Sequence, residues 1–287
     1  MEIPIIIPTY QRSNIILSKT LNFLERIQYP QNNIFVVVGC NEENEFWDYY
    51  NSITNLYPDV NILVGDNSNY KASQLNFIRN ELLEDNQLAL ILDDDIDDIL
   101  VREENKPLRA ITKDEFEKFL CIVPNLMRVH NIGLCGVNSS SNSFYMSDKA
   151  KLCKSCICGG FQLFFNIPDL NLTINQGTDA FESCYYLDKY DYNLKIDFMT
   201  IKTKLFSVGG LHDYRKDKEK THQDYLQVAK SFPQYLDYYT WKEGESIGLD
   251  NKGKEVKIPK SRQKELTIEL KWKRFPSETI REKEDMF

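Results

Sequence analysis

Apolar residues fall into four short runs, each followed by a polar turn and then, in the first three, by a stretch of helical spacing. Ile3 to Ile7 is apolar and ends at Pro8; beyond Thr9-Tyr10-Gln11-Arg12-Ser13, apolar residues recur at Ile16, Leu17, Leu21, Phe23, Leu24 and Ile27. That pattern predicts a buried strand, a turn and an amphipathic helix. The unit repeats with Ile34 to Val38 ahead of Glu42 to Tyr50, and with Asn61 to Val64 ahead of Leu75, Ile78, Leu82 and Leu83. A fourth run, Leu88 to Leu92, meets the acidic stretch Asp93-Asp94-Asp95-Ile96-Asp97-Asp98. Strands alternating with helices predict right-handed crossovers and a mostly parallel sheet covered on both faces. Ligands then bind beyond the carboxyl ends of the strands. The turn at Thr9 to Arg12, the turn after Val38, the Gly65 to Tyr70 loop and the acidic stretch therefore face one crevice.

The second half is less regular. Thr112 and Glu115 have capping-box spacing, which predicts a helix toward Val129. Ile132 to Val137 and Phe161 to Phe165 read as strands flanking a polar loop. A helix follows Gln176-Gly177-Thr178-Asp179 as far as Tyr190, and Leu194 to Phe206 alternates like a strand with one exposed face. The segment Lys252 to Arg274 is rich in Lys and Arg. Residues 1–250 are expected to form the main domain, and residues 251–287 a charged segment packed on it or contacting DNA.

Carboxylates crowded as in Asp93 to Asp98 raise one another's pKa unless a cation or a set of donors neutralises them. Two readings stand on these residues alone: a hard-cation site for Mg2+ or Mn2+ with room for substrate phosphates, or a solvated acidic turn. The balance of 35 Lys+Arg against 43 Asp+Glu gives a formal charge of −8, against a globally basic nucleic-acid coat protein. No apolar run reaches the roughly 20 residues that span a bilayer and the start lacks a secretory signal, so a soluble, intracellular chain is expected. The 7 cysteines are an odd number, which favours free thiols. Cys153, Cys156 and Cys158 cluster, but a structural zinc site takes four ligands and no second pair stands at a suitable spacing.

Three motifs in order carry a resemblance. Ile7-Pro8-Thr9-Tyr10-Gln11-Arg12 resembles the opening strand and nucleotide loop of GT-A glycosyltransferases, Gln74 to Asn80 resembles their Arg-Asn helix, and Leu92-Asp93-Asp94-Asp95 resembles their metal-binding Asp-x-Asp. Further on, Gly159-Gly160-Phe161 resembles the acceptor-side loop. Gly177 to Glu182 resembles the motif that supplies the catalytic base in inverting members, with Thr178 where the family usually has Glu. Ser207 to Arg215, with the aromatic-rich Phe232 to Trp241, is similar to the TET/JBP-associated DNA glycosyltransferases, which act on hydroxymethylated pyrimidines in base J synthesis and some phage genomes.

The resemblance implies an α/β, GT-A (Rossmann-like) mostly parallel twisted sheet flanked by helices, and a metal-dependent transfer of sugar from a nucleoside diphosphate sugar, with UDP favoured, to 5-hydroxymethylpyrimidine in DNA; the alternatives are the same donor chemistry on a protein or glycan acceptor, or a non-catalytic GT-A-like module that binds a nucleotide or nucleic acid. By it, Asp95 and Asp93 hold Mn2+ or Mg2+, with Asp93 also facing the ribose, and His212 or His222 is a third ligand. Thr9, Tyr10, Arg12 and Asp94 cradle the nucleotide, with Tyr10 a stacking face and Arg12 a donor fork. Glu42 or Glu43 either accepts from a uracil imide or begins a helix. Lys71 and Arg79 are candidates for phosphate or sugar contacts, against ordinary helix-surface charge. Asp179 is the candidate general base, against a helix N-cap. Asp97 and Asp98 cap the next segment or stay solvated. His130 caps or packs. Lys252, Lys254, Lys257, Lys260, Arg262 and Lys264 either track a DNA backbone or form a solvated tail.

Overall fold

The computed structural model describes residues 3–40, 42–66, 71–104, 106–203, 211–260, 262 and 267–287, without the side chains of His212 and Asp213. The chain opens with β1 (Ile5–Tyr10) and a helical stretch made of α1 (Ser13–Ile16), a π-helical turn (Leu17–Leu21) and α2 (Asn22–Arg26). There follow β2 (Ile34–Gly39), α3 (Glu43–Thr54), β3 (Asn61–Val64), α4 (Lys71–Phe77), a second π-helical turn (Ile78–Leu82) and β4 (Leu88–Leu92). The acidic turn leads into β5 (Ile96–Val101), then β6 (Arg109–Ala110) and α5 (Lys113–Val129), which starts at a complete Thr112–Glu115 capping box. Next come β7 (Leu134–Asn138), β8 (Lys149–Cys153), β9 (Phe161–Phe165), α6 (Thr178–Tyr190), β10 (Asn193–Thr203), α7 (His212–Lys216) and α8 (Lys218–Ser231). The last elements are β11 (Leu236–Thr240), β12 (Ile247–Asp250), β13 (Glu255–Lys257), β14 (Ile268–Trp272) and β15 (Glu278–Glu282).

The principal sheet runs β15-β8-β10-β7-β9-β4-β1-β2-β3, with β5 paired to β10 and β6 to β5. The three N-terminal βα units and β4 pair in parallel as the hydrophobic pattern requires; β1, β2 and β4 are nearly continuous buried runs, and β3, at the edge of the sheet, is only half-buried. β9 enters antiparallel between β4 and β7, so β7 runs parallel to β4 and ends at the same edge of the sheet. Proline in a central strand breaks a ladder bond. Here Pro8 lies beyond the last β1–β4 pair, Ile6 with Ile91, while β1 stays paired to β2 as far as Tyr10. The two strands part at their carboxyl ends, and that gap is the crevice.

Two sequence expectations change, and the C-terminal segment gains detail. β10 is buried over most of its length, not half-exposed, because it lies between β7 on one side and β8 and β5 on the other. Two of its polar residues are bonded to neighbouring elements: Asn138 of β7 and Lys151 of β8 bond Asp197 at 2.6 and 2.8 Å, and Asn193 donates to the Ser183 carbonyl of α6 at 3.1 Å. The polar loop between β7 and β9 contains a strand of its own, β8. Residues 251–287 are divided between two sheets: β13 and β14 belong to a small antiparallel sheet, β13-β12-β11-β14, and β15 returns to pair with β8. The small sheet packs through Leu236, Leu270 and Trp272 on Val228 and Phe232 of the α8 region and Cys184 and Leu187 of α6. Among the described residues no helix is long and apolar enough to cross a membrane.

Candidate active site

The acidic turn is held from three sides. Thr20, on the first π-helical turn, donates to the Asp93 carbonyl at 2.8 Å and accepts from the Ile96 N–H at 3.0 Å, while the Asp93 N–H donates to the Gly160 carbonyl. Each carboxylate then meets a cation of the protein itself. Asp93 pairs with Lys71 at 3.2 Å, Asp94 with Arg12 at 2.9 Å, Asp97 with Lys19 at 3.3 Å and Asp98 with Arg26 at 2.5 Å. Asp95 accepts from the Thr203 hydroxyl at 2.7 Å and lies 3.7 Å from Arg12. Mutual repulsion is thus relieved by Lys and Arg, and Asp97 and Asp98 serve to anchor helix cations. Burial still pushes the Asp94 carboxyl up to about 6, against the opposing pull of Arg12.

Where β1 and β4 separate lies a cavity of about 100 Å3. Pro8, Thr9, Tyr10 and Arg12 line it from β1 and its turn, Lys71 and Gln74 from α4, Asp93 and Asp94 from the acidic turn, and Leu211 and Arg215 from either end of the short α7. Gln11 turns the chain in left-handed backbone (φ 52°) just before Arg12. The Arg12 N–H donates to the Tyr49 hydroxyl at 2.6 Å, and Gln74 donates to the Thr9 carbonyl at 2.9 Å. Three cations, Arg12, Lys71 and Arg215, therefore converge on one small space. Burial and the neighbouring Arg12 hold the Arg215 guanidinium below its ordinary pKa, the mark of a crowded positive site.

Asp179 stands beside this cavity in the first turn of α6. Its N-cap is Gly177 (φ 82°), so Asp179 is not the cap. Burial raises its pKa, with Lys71 pulling the other way. A Cβ on Gly159 would lie 3.3 Å from the Asp179 Cβ and 3.6 Å from Lys71 Nζ, and one on Gly160 would lie 3.2 Å from Asp93 Oδ2. The Gly159-Gly160 pair thus lets its backbone lie against all three groups.

Several expected site residues are elsewhere. Arg79 is fully buried, pairs with Glu182 at 2.5 Å and lies 4.4 Å over the Phe164 ring, so no ligand in the crevice meets it. Glu43 accepts from Trp47 Nε1 at 3.1 Å in the first turn of α3, the helix-start alternative; Glu45, in the same turn, and Asp48 line a hollow with Gly39 and Tyr49. His222 faces β14, 2.9 Å from the Thr267 hydroxyl. The His212 side chain and residues 67–70, 204–210 and 264 lie outside the described residues. His130 ends α5. Among the described residues no three His, Cys, Asp or Glu side chains form a metal-holding group, and Cys153, Cys156 and Cys158 are free thiols. Thr20, Gln74, Thr203 and Arg215 were missed. Thr20 and Thr203 carry no sequence signal, because each acts through an element distant in the chain.

Two carboxylates, Asp93 and Asp95, are what the turn offers a metal. That donor set suits Mg2+ or Mn2+, which take one or two carboxylates and complete their shell with water and substrate phosphate, and does not suit an all-protein cage.

No family model matches the sequence, and no curated protein matches it. Among solved structures, S. aureus TarS 1–349 in complex with UDP-GlcNAc is similar at a TM-score of 0.54 and 12% identity, over 80% of this chain and 66% of that one. Mannosyltransferase PcManGT from Pyrobaculum calidifontis, in complex with GDP-Man and Mn2+, gives 0.48 and 14%, over 81% and 64%. The chain thus spans slightly less than two thirds of the length of either. The likeness to TarS shows the fold, a GT-A type α/β domain with a helix-flanked central sheet.

Proposed function

We propose that this chain is a glycosyltransferase that takes its sugar from a nucleoside diphosphate sugar. The observation that carries the reading is the convergence of Arg12, Lys71 and Arg215 on the gap between β1 and β4, at the edge where α/β folds bind ligands. Three cations in a partly dry cavity are the complement of a diphosphate, and they stabilise it most as the glycosidic bond breaks and charge builds on it. Tyr10 and Thr9 border the same space on the nucleotide side. TarS, whose fold this chain shares, is described with UDP-GlcNAc, in keeping with a UDP-sugar donor.

Asp93 and Asp95 would hold Mn2+ or Mg2+, which would supply further positive charge to the leaving diphosphate. The remaining steps fall to side chains. Lys71, bound to Asp93 in the free protein, is close enough to serve the diphosphate, and Arg12 is braced by Asp94. Asp179 takes the proton of the acceptor hydroxyl as its oxygen attacks the anomeric carbon, and a raised pKa suits that role. The Gly159-Gly160 turn lies beside it on the acceptor side.

For the acceptor, the resemblance of Ser207 to Arg215 favours 5-hydroxymethylpyrimidine in DNA. Charge distribution supports it: residues 236–274 hold ten Lys and Arg against seven Asp and Glu in an otherwise acidic chain. Lys252, Lys254, Lys257, Lys260 and Arg262 are exposed, and Arg262 is near enough to Tyr225 to act electrostatically on its phenol, next to Gln176 and the start of α6. At the same sheet edge, the loop after β7 exposes the aromatic pair Phe144 and Tyr145, surfaces on which a base or sugar can stack.

The test is release of nucleoside diphosphate from a panel of sugar nucleotides with Mn2+, with hydroxymethylated DNA, unmodified DNA, glycan or peptide as acceptor. Release that requires hydroxymethylated DNA is the expected result. Turnover only with glycan or peptide would replace the acceptor, and no release from any donor would overturn the enzyme.

A further inference from the structure

The loop that leads into α6 also reaches α4, α7 and α8. Asn175 Oδ1 accepts from the Ala72 N–H at 3.1 Å, beside Lys71. The buried Asp224 carboxylate on α8 accepts from the Asn175 and Gln176 N–H groups at 3.0 and 2.8 Å and from the Tyr214 hydroxyl at 2.8 Å. Gln176 uses both ends of its amide: Oε1 accepts from Arg215 Nε at 3.0 Å and Nε2 donates to the Tyr225 hydroxyl at 2.9 Å. Tyr225 in turn lies against Gly177, where a Cβ would meet its ring at 3.2 Å.

An arginine side chain has many rotamers, and binding through it is strong only when that freedom is already lost. With Nε held by Gln176, the plane of the Arg215 guanidinium is set at the cavity wall. We infer that Gln176 is a positioning residue that aims Arg215 at the donor diphosphate, with Tyr225 holding the Gln176 amide and Asp224 the loop beneath it. The inference rests on the diphosphate reading of the cavity. It makes one short stretch of loop and helix, from Gln176 to Asp179, serve both the leaving group and the attacking one.

The experiment is calorimetric titration of the full chain with inorganic pyrophosphate, for wild type, Gln176→Leu, Arg215→Ala and the double variant. Gln176→Leu should weaken binding roughly tenfold, the worth of one charge-assisted hydrogen bond. Because Gln176 acts through Arg215, the same change in the Arg215→Ala background should alter affinity by no more than about twofold. Tyr225→Phe, which leaves packing on Gly177 intact, should give a smaller loss of about threefold that also vanishes without Arg215. An equal cost of Gln176→Leu in both backgrounds, or none in the wild type, overturns the positioning role. If wild type does not bind pyrophosphate, the diphosphate reading falls, and the inference with it.

Discussion

Arg79 and Glu182 form an ion pair at 2.5 Å with neither side chain reaching solvent. Arg79 follows the helix that begins at Lys71, in its π-helical extension, and Glu182 is one turn beyond Asp179. The pair therefore ties the two helices whose first turns border the crevice, reinforced by Arg79 to the Tyr186 hydroxyl at 3.1 Å and by Tyr186 to the Phe165 carbonyl at 2.7 Å. Removing one member leaves a buried charge. Arg79→Ala should cost about 3–5 kcal/mol, whereas Arg79→Met with Glu182→Met should fall near wild type because both desolvated charges go together. Urea denaturation of the three proteins checks this; a double variant as unstable as the single would remove the buried pair as the cause.

Thr20 makes a narrower prediction. Its hydroxyl bridges the Asp93 carbonyl and the Ile96 N–H, so Thr20→Val keeps shape and volume while removing both bonds. Stability should drop by about 1–3 kcal/mol. Pyrophosphate and Mn2+ affinity should fall with it, since Asp93 and Asp95 flank the loosened turn. Thr20→Ser should restore both, and a Val variant with unchanged melting and unchanged ligand affinity would show the turn to be held without it.

The parallel half of the fold was legible because each strand is a solid apolar run and each helix an amphipathic one, with Pro8 marking where β1 leaves β4. The acidic turn and the β1 turn were legible because chemistry-bearing residues follow strand ends directly. β10 was misread because Asp197 and Thr200 look like exposed positions, yet they are buried polar residues in the interior of a sheet. Arg79 was misread for a related reason: a charged residue on a helix suggests solvent until its partner, 103 residues away in the chain, is known. Arg215 was written in the sequence but not distinguished from its neighbours. What singles it out is the Gln176 side chain, and no spacing rule links the two.

Asp179 and Lys71 predict a pH dependence. Burial raises the Asp179 pKa and Lys71 lowers it, so the base form is lost on the acid side as pH falls through a value above that of a free Asp. Lys71→Met removes the lowering influence. The acid limb of kcat/KM against pH should then move to higher pH, in addition to any loss in rate at the plateau. A limb that stays in place, or moves toward lower pH, would separate Asp179 from Lys71 or from the titration altogether. Asp179→Asn should abolish transfer while leaving pyrophosphate affinity within about twofold, since it acts on the acceptor.

Asp93 and Asp94 are adjacent in the chain and opposite in role, which stability and ligand binding can separate. Asp93 is half-exposed and its pair with Lys71 is partly solvated, so Asp93→Asn should cost no more than about 1 kcal/mol of stability. It should nonetheless remove most of the rise in melting temperature that Mn2+ with a nucleoside diphosphate gives the wild type. Asp94 is buried against Arg12 and Thr9, at 2.9 and 2.7 Å, and Asp94→Ala should cost about 3 kcal/mol by taking from Arg12 the nearer of the Asp94 and Asp95 carboxylates and from the Thr9 hydroxyl its acceptor. Asp94→Asn carries a further signature in pH. The Asp94 carboxyl titrates near 6 in the folded protein and near 3.8 when unfolded, so the folded state binds the extra proton between those values. Wild-type stability relative to Asp94→Asn should therefore be greatest below the unfolded value and decline as pH rises through about 6, the reverse of an ordinary salt-bridged Asp. Denaturation curves from pH 4 to 7 test the sign directly, and a difference that grows with pH would mean that Arg12, not burial, governs Asp94.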